Sequence, residues 1–548
     1  MIEIEARSAI DDVVPAKEAE RGVLFHTIVT GTHAVSWSRD LSNRLKWDRL
    51  WAECPWSTAF QSHSFFDIWT RHYGDTWSPL LVLAYRPDGS LAGLMPLAMR
   101  NGVIVGVGAH QAEYQGWISS PQESGTFIVG ALGALTSQIR YRVLRLRYLP
   151  IGLHSEAIDR LRSDRRAILF KHGAPILPTG TSIADGALKK PSNRSKLKRL
   201  QRLGNIEFRV LDVQGFIAAL NSFAVMYDLR HGALHGVRPF SEDSKKRDFH
   251  IDWFRVAPEQ LHASCIYLDE HLISALLLVR SSARAHLAIS AYCPQHSQYS
   301  PGKLNIYLAA QVLKEVGIDE IDLTPGGDPW KARFGRGESE VAELVFFPTH
   351  LLAIAQRFRV SAKEVLRSAL GKLGLRVSYI KTVLGPLRRR PMETAQGQEI
   401  VFIRGSSHHV TAAPRGGIGA SVNCLDDVMY VAANMPADAQ ERFLKDALLR
   451  FERGDTCGIA LDAQRNEYCV GWARRISQES AVLVLEGVTL SADAEVDIAA
   501  ACVSALLSGA ERENQIYDQV IFRTRRDQVP LHQAATQLGF ELRCPVEH

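Results

Sequence analysis

The sequence predicts an α+β chain of several folded units whose sheets are mixed and mainly antiparallel. Three observations carry this. At 548 residues the chain exceeds what one core fills, since a domain takes roughly 150 residues. Within residues 190–345, two helical stretches, a run of strands, a helix and a strand follow one another. That order departs from the regular strand–helix alternation of a doubly wound sheet. Apolar content of 46% and charged content of 22% are those of an ordinary globular protein and exclude collagen-like, disordered and coiled-coil chains.

Residues 1–22 read as a mixed-charge leader, neither a secretory signal nor a transit peptide. The unit 23–178 mixes aromatic-rich helical spacing at 45–74 with two apolar runs around Pro87-Asp88-Gly89, a hairpin-turn signal, and a strand pattern at 143–150. The unit 179–348 opens with a polar connector, then a basic helix (SKLKRLQRLG), a strand (IEFRVLD) and a long helix at 213–231. Strands HASCIYLD and LISALLLVR follow, with a tight turn expected at Glu270-His271, then AHLAISAYC. Residues 349–398 read as a basic helical linker. From Thr349 to Glu393 ten Lys/Arg face two acids, so the basic character sits here and not in the chain as a whole, whose net charge is only +5. The unit 399–548 carries strands TCGIALDA, YCVGWARRI and AVLVLEGVTL, a helix at DIAAACVSALLSGAERE, and the closing sequence YDQVIFRT, PLHQAATQL and GFEL.

Several chemistries are disfavoured. The eight cysteines form no CxxC pair, so neither a zinc site nor a redox motif is expected, and they read as reduced core residues. His408-His409 lacks a partner at ligand spacing, so no metal is expected. VGVGAH (105–110) and RGGIGA (415–420) do not complete a dinucleotide loop and read as turns. No run of 18 apolar residues occurs, so no membrane span is expected. A cytoplasmic chain is expected, and no nucleic-acid partner.

The informative stretch is 299–335, YSPGKLNIYLAAQVLKEVGIDEIDLTPGGDPWKARFG. Ser300 reads as an N-cap and Pro301 as the first helical residue. Leu304, Leu308, Val312 and Val316 recur every four residues as a buried stripe, and Gly317 is placed to end the helix in a left-handed cap. A helix start presents unpaired amides and the positive end of the helix dipole, so it can seat a phosphate. Gly302 permits close approach and Lys303 adds positive charge. The plain alternative is a helix start that binds nothing.

The order here resembles the GNAT acyltransferase superfamily. More closely, it is similar to the BioF2-like or CelD-like branch, related to the FemAB transferases. The resemblance rests on Tyr299-Ser300-Pro301-Gly302 with Leu304, on Asp322-Leu323 running into Gly326-Gly327-Asp328, and on Trp330-Lys331 with Phe334-Gly335. It spans about 190–345, while FQSHSFFDIWTRHYG and GSLAGLMPL look like the first half of the same tandem arrangement. The chain departs from the common Arg/Gln-x-x-Gly-x-Gly/Ala loop by carrying Ser-Pro-Gly-Lys-Leu. In the third unit the corresponding loop, Ser491 to Asp497, has three acids and no glycine, so that unit resembles a degenerate, non-catalytic copy.

The resemblance implies acetyl-CoA or another acyl-CoA as co-substrate, bound at Ser300, Pro301, Gly302, Lys303 and Leu304. It implies an acceptor near Arg230, His231, Arg238, Trp330 and Arg333. Asp322 is the first candidate for the base that takes the amine proton, with a cap or an ion pair to Lys331 or Arg333 as the structural alternative; Lys331 is the second catalytic candidate. The expected reaction is N-acylation of an amino sugar or similar amine, in exopolysaccharide or cellulose-type synthesis, with peripheral contact to the inner membrane or a polysaccharide synthase through the basic segment. A FemAB-like aminoacyl transferase is the alternative enzyme; no arm-like insertion appears within 190–345, which favours the thioester. A non-catalytic scaffold is the alternative outside enzymes.

Overall fold

A computed structural model describes residues 24–152, 155–180, 186–326, 329–334, 337–357, 399–405, 418–475, 482–491, 494–511, 517, 519–525 and 528–543. Thirteen strands form one sheet: β1 (Phe25–Thr30), β2 (Ser78–Tyr85), β3 (Leu91–Arg100), β4 (Val103–Gly106), β5 (Ile118–Ser119), β6 (Val143–Pro150), β7 (Ala167–Pro178), β8 (Ile206–Leu211), β9 (Leu261–Leu268), β10 (His271–Ser281), β11 (Arg284–Tyr292), β12 (Glu320–Asp322) and β13 (Gly337–Phe346). Their order is β1-β2-β3-β4-β6-β13-β7-β12-β11-β10-β9-β8, with β5 on β3. The first two units therefore share one sheet. The last strand of the second unit, β13, inserts between β6 and β7 and pairs antiparallel with both.

The predicted turns are close to those observed. The β2–β3 hairpin turns at Asp88-Gly89: Gly89 has φ +77, and the Asp88 carboxylate accepts the Ser90 amide at 2.9 Å. The β9–β10 turn lies one residue earlier than expected, at Asp269-Glu270, both left-handed at φ +46 and +66. Acidic residues tolerate this conformation better than a β-branched residue would.

The two units also share a core. Phe65 and Trp253 stack edge-to-face at 4.8 Å, Phe60 lies 6.0 Å from Trp253, and all three are almost fully buried. Burying a side chain such as Phe65 contributes roughly 1.5–3 kcal/mol. Polar pairs stitch the same seam: Ser281 Oγ accepts the Ala59 amide at 2.9 Å, and His72 meets Asp252 at 2.9 Å.

The third unit forms a second sheet from β14 (Glu399–Gly405), β15 (Gly419–Val422), β16 (Thr456–Leu461), β17 (Tyr468–Arg475), β18 (Val482–Leu490), β19 (Gln519–Arg525) and β20 (Glu541–Arg543), in the order β15-β16-β17-β18-β19-β14-β20. This repeats the second unit, β8-β9-β10-β11-β12-β7-β13, strand for strand. In both sets of seven, the strand that comes first along the chain inserts between the fifth and the last. In both, the fourth and fifth strands form the parallel pair. The third unit is thus a topological copy of the second. Of its predicted anionic loop, Ala492 and Asp493 lie outside the described residues, as do most of the basic segment, His408-His409 and Gly327-Asp328.

Candidate active site

The helix Pro301–Glu315 leaves β11 through a short 3-10 turn, Pro294–Tyr299. Ser300 precedes it in the left-handed conformation (φ +54), and its side chain does not cap the helix. Its hydroxyl instead accepts Lys196 Nζ at 2.6 Å. The left-handed backbone turns the chain sharply, and the amides of Lys303 and Leu304 fold back onto the Ser300 carbonyl at 3.0 and 3.2 Å. Pro301 has no amide to offer. The Gly302 amide has no protein partner among the described residues.

The expected stripe differs from the observed one. Leu304 is buried, but Val316 is 53% exposed, and Asn305, Ile306, Tyr307, Ala309, Ala310 and Leu313 are buried as well. The helix is covered on more than one side, so a single four-residue ladder does not describe it. Gly317, at φ +80, ends it as expected: its amide meets the Lys314 carbonyl at 3.2 Å.

A cavity of about 270 Å³ opens at this helix start. Three cations line it, Lys196, Arg230 and Lys303, with the hydroxyl residues Ser290, Ser297 and Ser300. Tyr292, Trp330 and Phe334 supply ring faces. Arg230 lies over the Tyr292 ring at 5.2 Å, and Lys303 lies 5.8 Å from both Tyr307 and Phe334. The Trp330 indole N–H is buried without a hydrogen-bond partner among the described residues. A Cβ on Gly302 would stand 3.3 Å from Tyr292 Cδ1, tighter than ordinary contact, so glycine lets the backbone line the cavity. Concentrated cations, hydroxyls, an open amide and the positive end of a helix dipole suit a polyanion.

β11 and β12 pair in parallel only from Arg284–Glu320 to His286–Asp322. Beyond that pair the ladder between them ends: β11 skips Ala288 in its register with β10, and Thr324 on the other chain is left-handed (φ +59).

Asp322 stands at the end of that ladder and is fully buried. The Tyr114 hydroxyl donates to Oδ2 at 2.5 Å, the Thr324 amide donates to Oδ1 at 2.7 Å, and His286 Nδ1 is 3.6 Å away. Burial pushes its carboxyl upward, but His286, Tyr114 and the Thr324 amide outweigh burial and hold it below the usual carboxylate range. A carboxylate so placed joins the two halves. Lys331 does not pair with it: Lys331 Nζ donates to the Thr324 carbonyl and hydroxyl, both at 3.2 Å.

Of the other predicted residues, Arg230 and Trp330 line the cavity with Ser300, Gly302 and Lys303, whereas Pro301 and Leu304 pack into the core. His231 stacks on Tyr227 at 4.1 Å and Arg238 meets Glu242 at 3.4 Å; neither lines the cavity. The Arg333 side chain lies outside the described residues.

Two residues escaped sequence reasoning. Lys196 lies on the helix Pro191–Gln201, read there only as basic. Glu113 sits beside Tyr114 on the loop that crosses from the first half to Asp322. It is half-buried, and burial pushes its carboxyl above the usual range against the opposing charges of Arg147, Lys331 and Lys246. Its charge also reaches Tyr227, one turn before Arg230. The only sequence signal was a single acid in a loop with no other charge, AEYQGW. Among the described residues no group of three or more His, Cys, Asp or Glu is arranged to hold a metal ion, and no helix is long and apolar enough to cross a membrane.

The profile of the acetyltransferase (GNAT) domain matches residues 190–332. No curated protein matches the chain by sequence. Similar solved structures include FemX, at 11% identity, covering 56% of this chain and 96% of that one with a TM-score of 0.41. They also include L-PGS from Bacillus licheniformis, at 11% identity, covering 57% and 93% with a TM-score of 0.36. A tandem GNAT protein from the clavulanic acid biosynthesis pathway is 13% identical and covers 62% and 95%, with a TM-score of 0.20. Residues 190–332, which carry Lys196, Arg230 and Lys303, are thus the part of the chain that is similar to the acetyltransferase (GNAT) domain.

Proposed function

We propose that this chain is an acyl-CoA-dependent N-acyltransferase acting on an amino sugar or similar amine. One observation supports it above the rest: Lys196, Arg230 and Lys303 converge on the start of the helix Pro301–Glu315, beside a glycine amide. A CoA thioester supplies the activated acyl group. Its pyrophosphate suits the Gly302 amide, the Ser300 and Ser297 hydroxyls and the three cations. Its arm would run past the place where β11 and the segment after Asp322 cease to pair, toward the seam between the halves.

At that seam the amine attacks the thioester carbonyl, the C–S bond breaks, and the sulfur leaves as CoA thiolate. The amine proton needs a base with an affinity near the working pH. Glu113 meets that need better than Asp322. Its carboxyl is raised and partly accessible, whereas Asp322 is held ionised and its oxygens are taken. Asp322 then holds Tyr114, and with it the loop that carries Glu113, in place. The polysaccharide setting rests on resemblance alone.

Purified chain incubated with acyl-CoAs and a panel of amino sugars, followed by mass spectrometry, tests the reading. Acylated amine and free CoA should form in equal amounts. Transfer from aminoacyl-tRNA but from no acyl-CoA would replace this reading with the aminoacyl-transferase one.

A further inference from the structure

The third unit packs against two walls of the cationic cavity. Its helix Ala437–Arg453 lies along the helix Val213–His235, which carries Arg230, and against the turn Pro294–Tyr299, which carries Ser297. Leu229 and Ala233 of the second unit and Leu444, Ala447, Leu448 and Phe451 of the third form one buried cluster. Gly232 lies against this contact: a Cβ there would stand 2.6 Å from Leu444 Cδ1, an overlap that makes Leu444 or its helix shift. One polar contact continues the seam to the cavity: Gln295 Nε2 donates to the Asn423 carbonyl at 2.9 Å.

We infer that the third unit sets the anion affinity of the second, by holding the Arg230 helix and the Pro294–Tyr299 turn in their cavity positions. In this reading the copy has exchanged its own phosphate loop for a supporting role. Docking and ligand binding are then linked, and linkage is reciprocal. CoA should tighten the docking of the helix Ala437–Arg453, and loosening that helix should weaken CoA. The inference rests on the reading of the cavity as the CoA site.

A bump-and-hole pair tests it. Gly232→Ala favours helix formation in itself, so it should not unfold its own helix, but it pushes Leu444 away. Its affinity for CoA, measured by calorimetry on the full chain, should fall by about fivefold or more, the span usual for coupled sites. Leu444→Ala added to Gly232→Ala removes the overlap and should restore affinity toward wild type. In the wild type, CoA should slow amide exchange across residues 437–453. If Gly232→Ala loosens the helix by exchange yet binds CoA as wild type does, the inference fails. If the single and double variants bind equally weakly, it fails as well. A wild type that binds no CoA would instead overturn the proposed function.

Discussion

Gly302→Glu separates ligand recognition from folding, because the two respond in opposite directions. A carboxylate in the first turn of the helix Pro301–Glu315 faces the positive end of the dipole, worth about 0.3–1 kcal/mol of stabilisation. The new Cβ stands 3.3 Å from Tyr292 Cδ1, so the ring must give by a few tenths of an ångström. Unfolding without ligand should therefore shift little. Ligand binding meets two costs. The carboxylate repels a phosphate seated between Lys196, Arg230 and Lys303, at about 4 kcal/mol for unit charges about 4 Å apart near a protein surface. The Gly302 amide also loses access, and a charge-assisted hydrogen bond is worth about 1.5–3 kcal/mol. Even half the repulsion, with no lost bond, weakens binding by more than about tenfold, since about 1.4 kcal/mol is a factor of ten. Titration of wild type and variant with CoA by calorimetry, beside thermal unfolding of each, measures both effects. A variant that keeps its melting temperature and binds CoA as wild type does would refute the assignment of the phosphates to this helix.

Asp322→Asn should lower stability by about 1–3 kcal/mol, through the strained partnership with the Tyr114 hydroxyl and the Thr324 amide, while turnover per folded molecule stays near wild type. Because the Asp322 carboxyl is held below its ordinary value, it stabilises the fold above about pH 4 and loses this as pH falls through its folded value; the variant's acid-unfolding curve should lack that component. Glu113→Gln should do the reverse. A carboxyl raised by burial leaves the folded state holding more protons than the unfolded one, so stability falls as pH rises above about 4.3. The variant should be more stable than wild type at pH 7, with turnover slowed by about 10² or more. The basic segment 349–393 should bring the chain down with anionic vesicles at low salt, at about 1 kcal/mol per basic residue near the surface, and release it as salt rises; no co-sedimentation at low salt removes the membrane contact.

The helix start and its partners were legible because their signals are local. Ser300-Pro301-Gly302-Lys303 sits within four residues, and Gly317 ends the helix it begins. Arg230 was also found, as part of a polar cluster at the end of a long helix. Lys196 was not placed, since nothing in SKLKRLQRLG shows which of its cations folds back onto Ser300. Glu113 and the state of Asp322 depend on long-range pairing: Tyr114 and Asp322 are 208 positions apart. The shared sheet was hidden for the same reason. Neither β7 nor β13 stands out as a strand in the sequence, and only tertiary register puts β13 between β6 and β7. The roles expected of Ser300 as a cap and of Val316 as core failed because a left-handed N-cap and burial on several sides are set by neighbours and not by period.

The central claim is that the start of the helix Pro301–Glu315 holds the pyrophosphate of CoA, and a crystal structure of the chain with CoA tests it most directly. The account predicts phosphate oxygens within hydrogen-bonding distance of the Gly302 amide and in contact with Lys196, Arg230 and Lys303, with the thiol end beside the place where β11 and β12 cease to pair, beyond His286 and Asp322. Phosphates bound at the third unit, or at any site away from that helix, would contradict it.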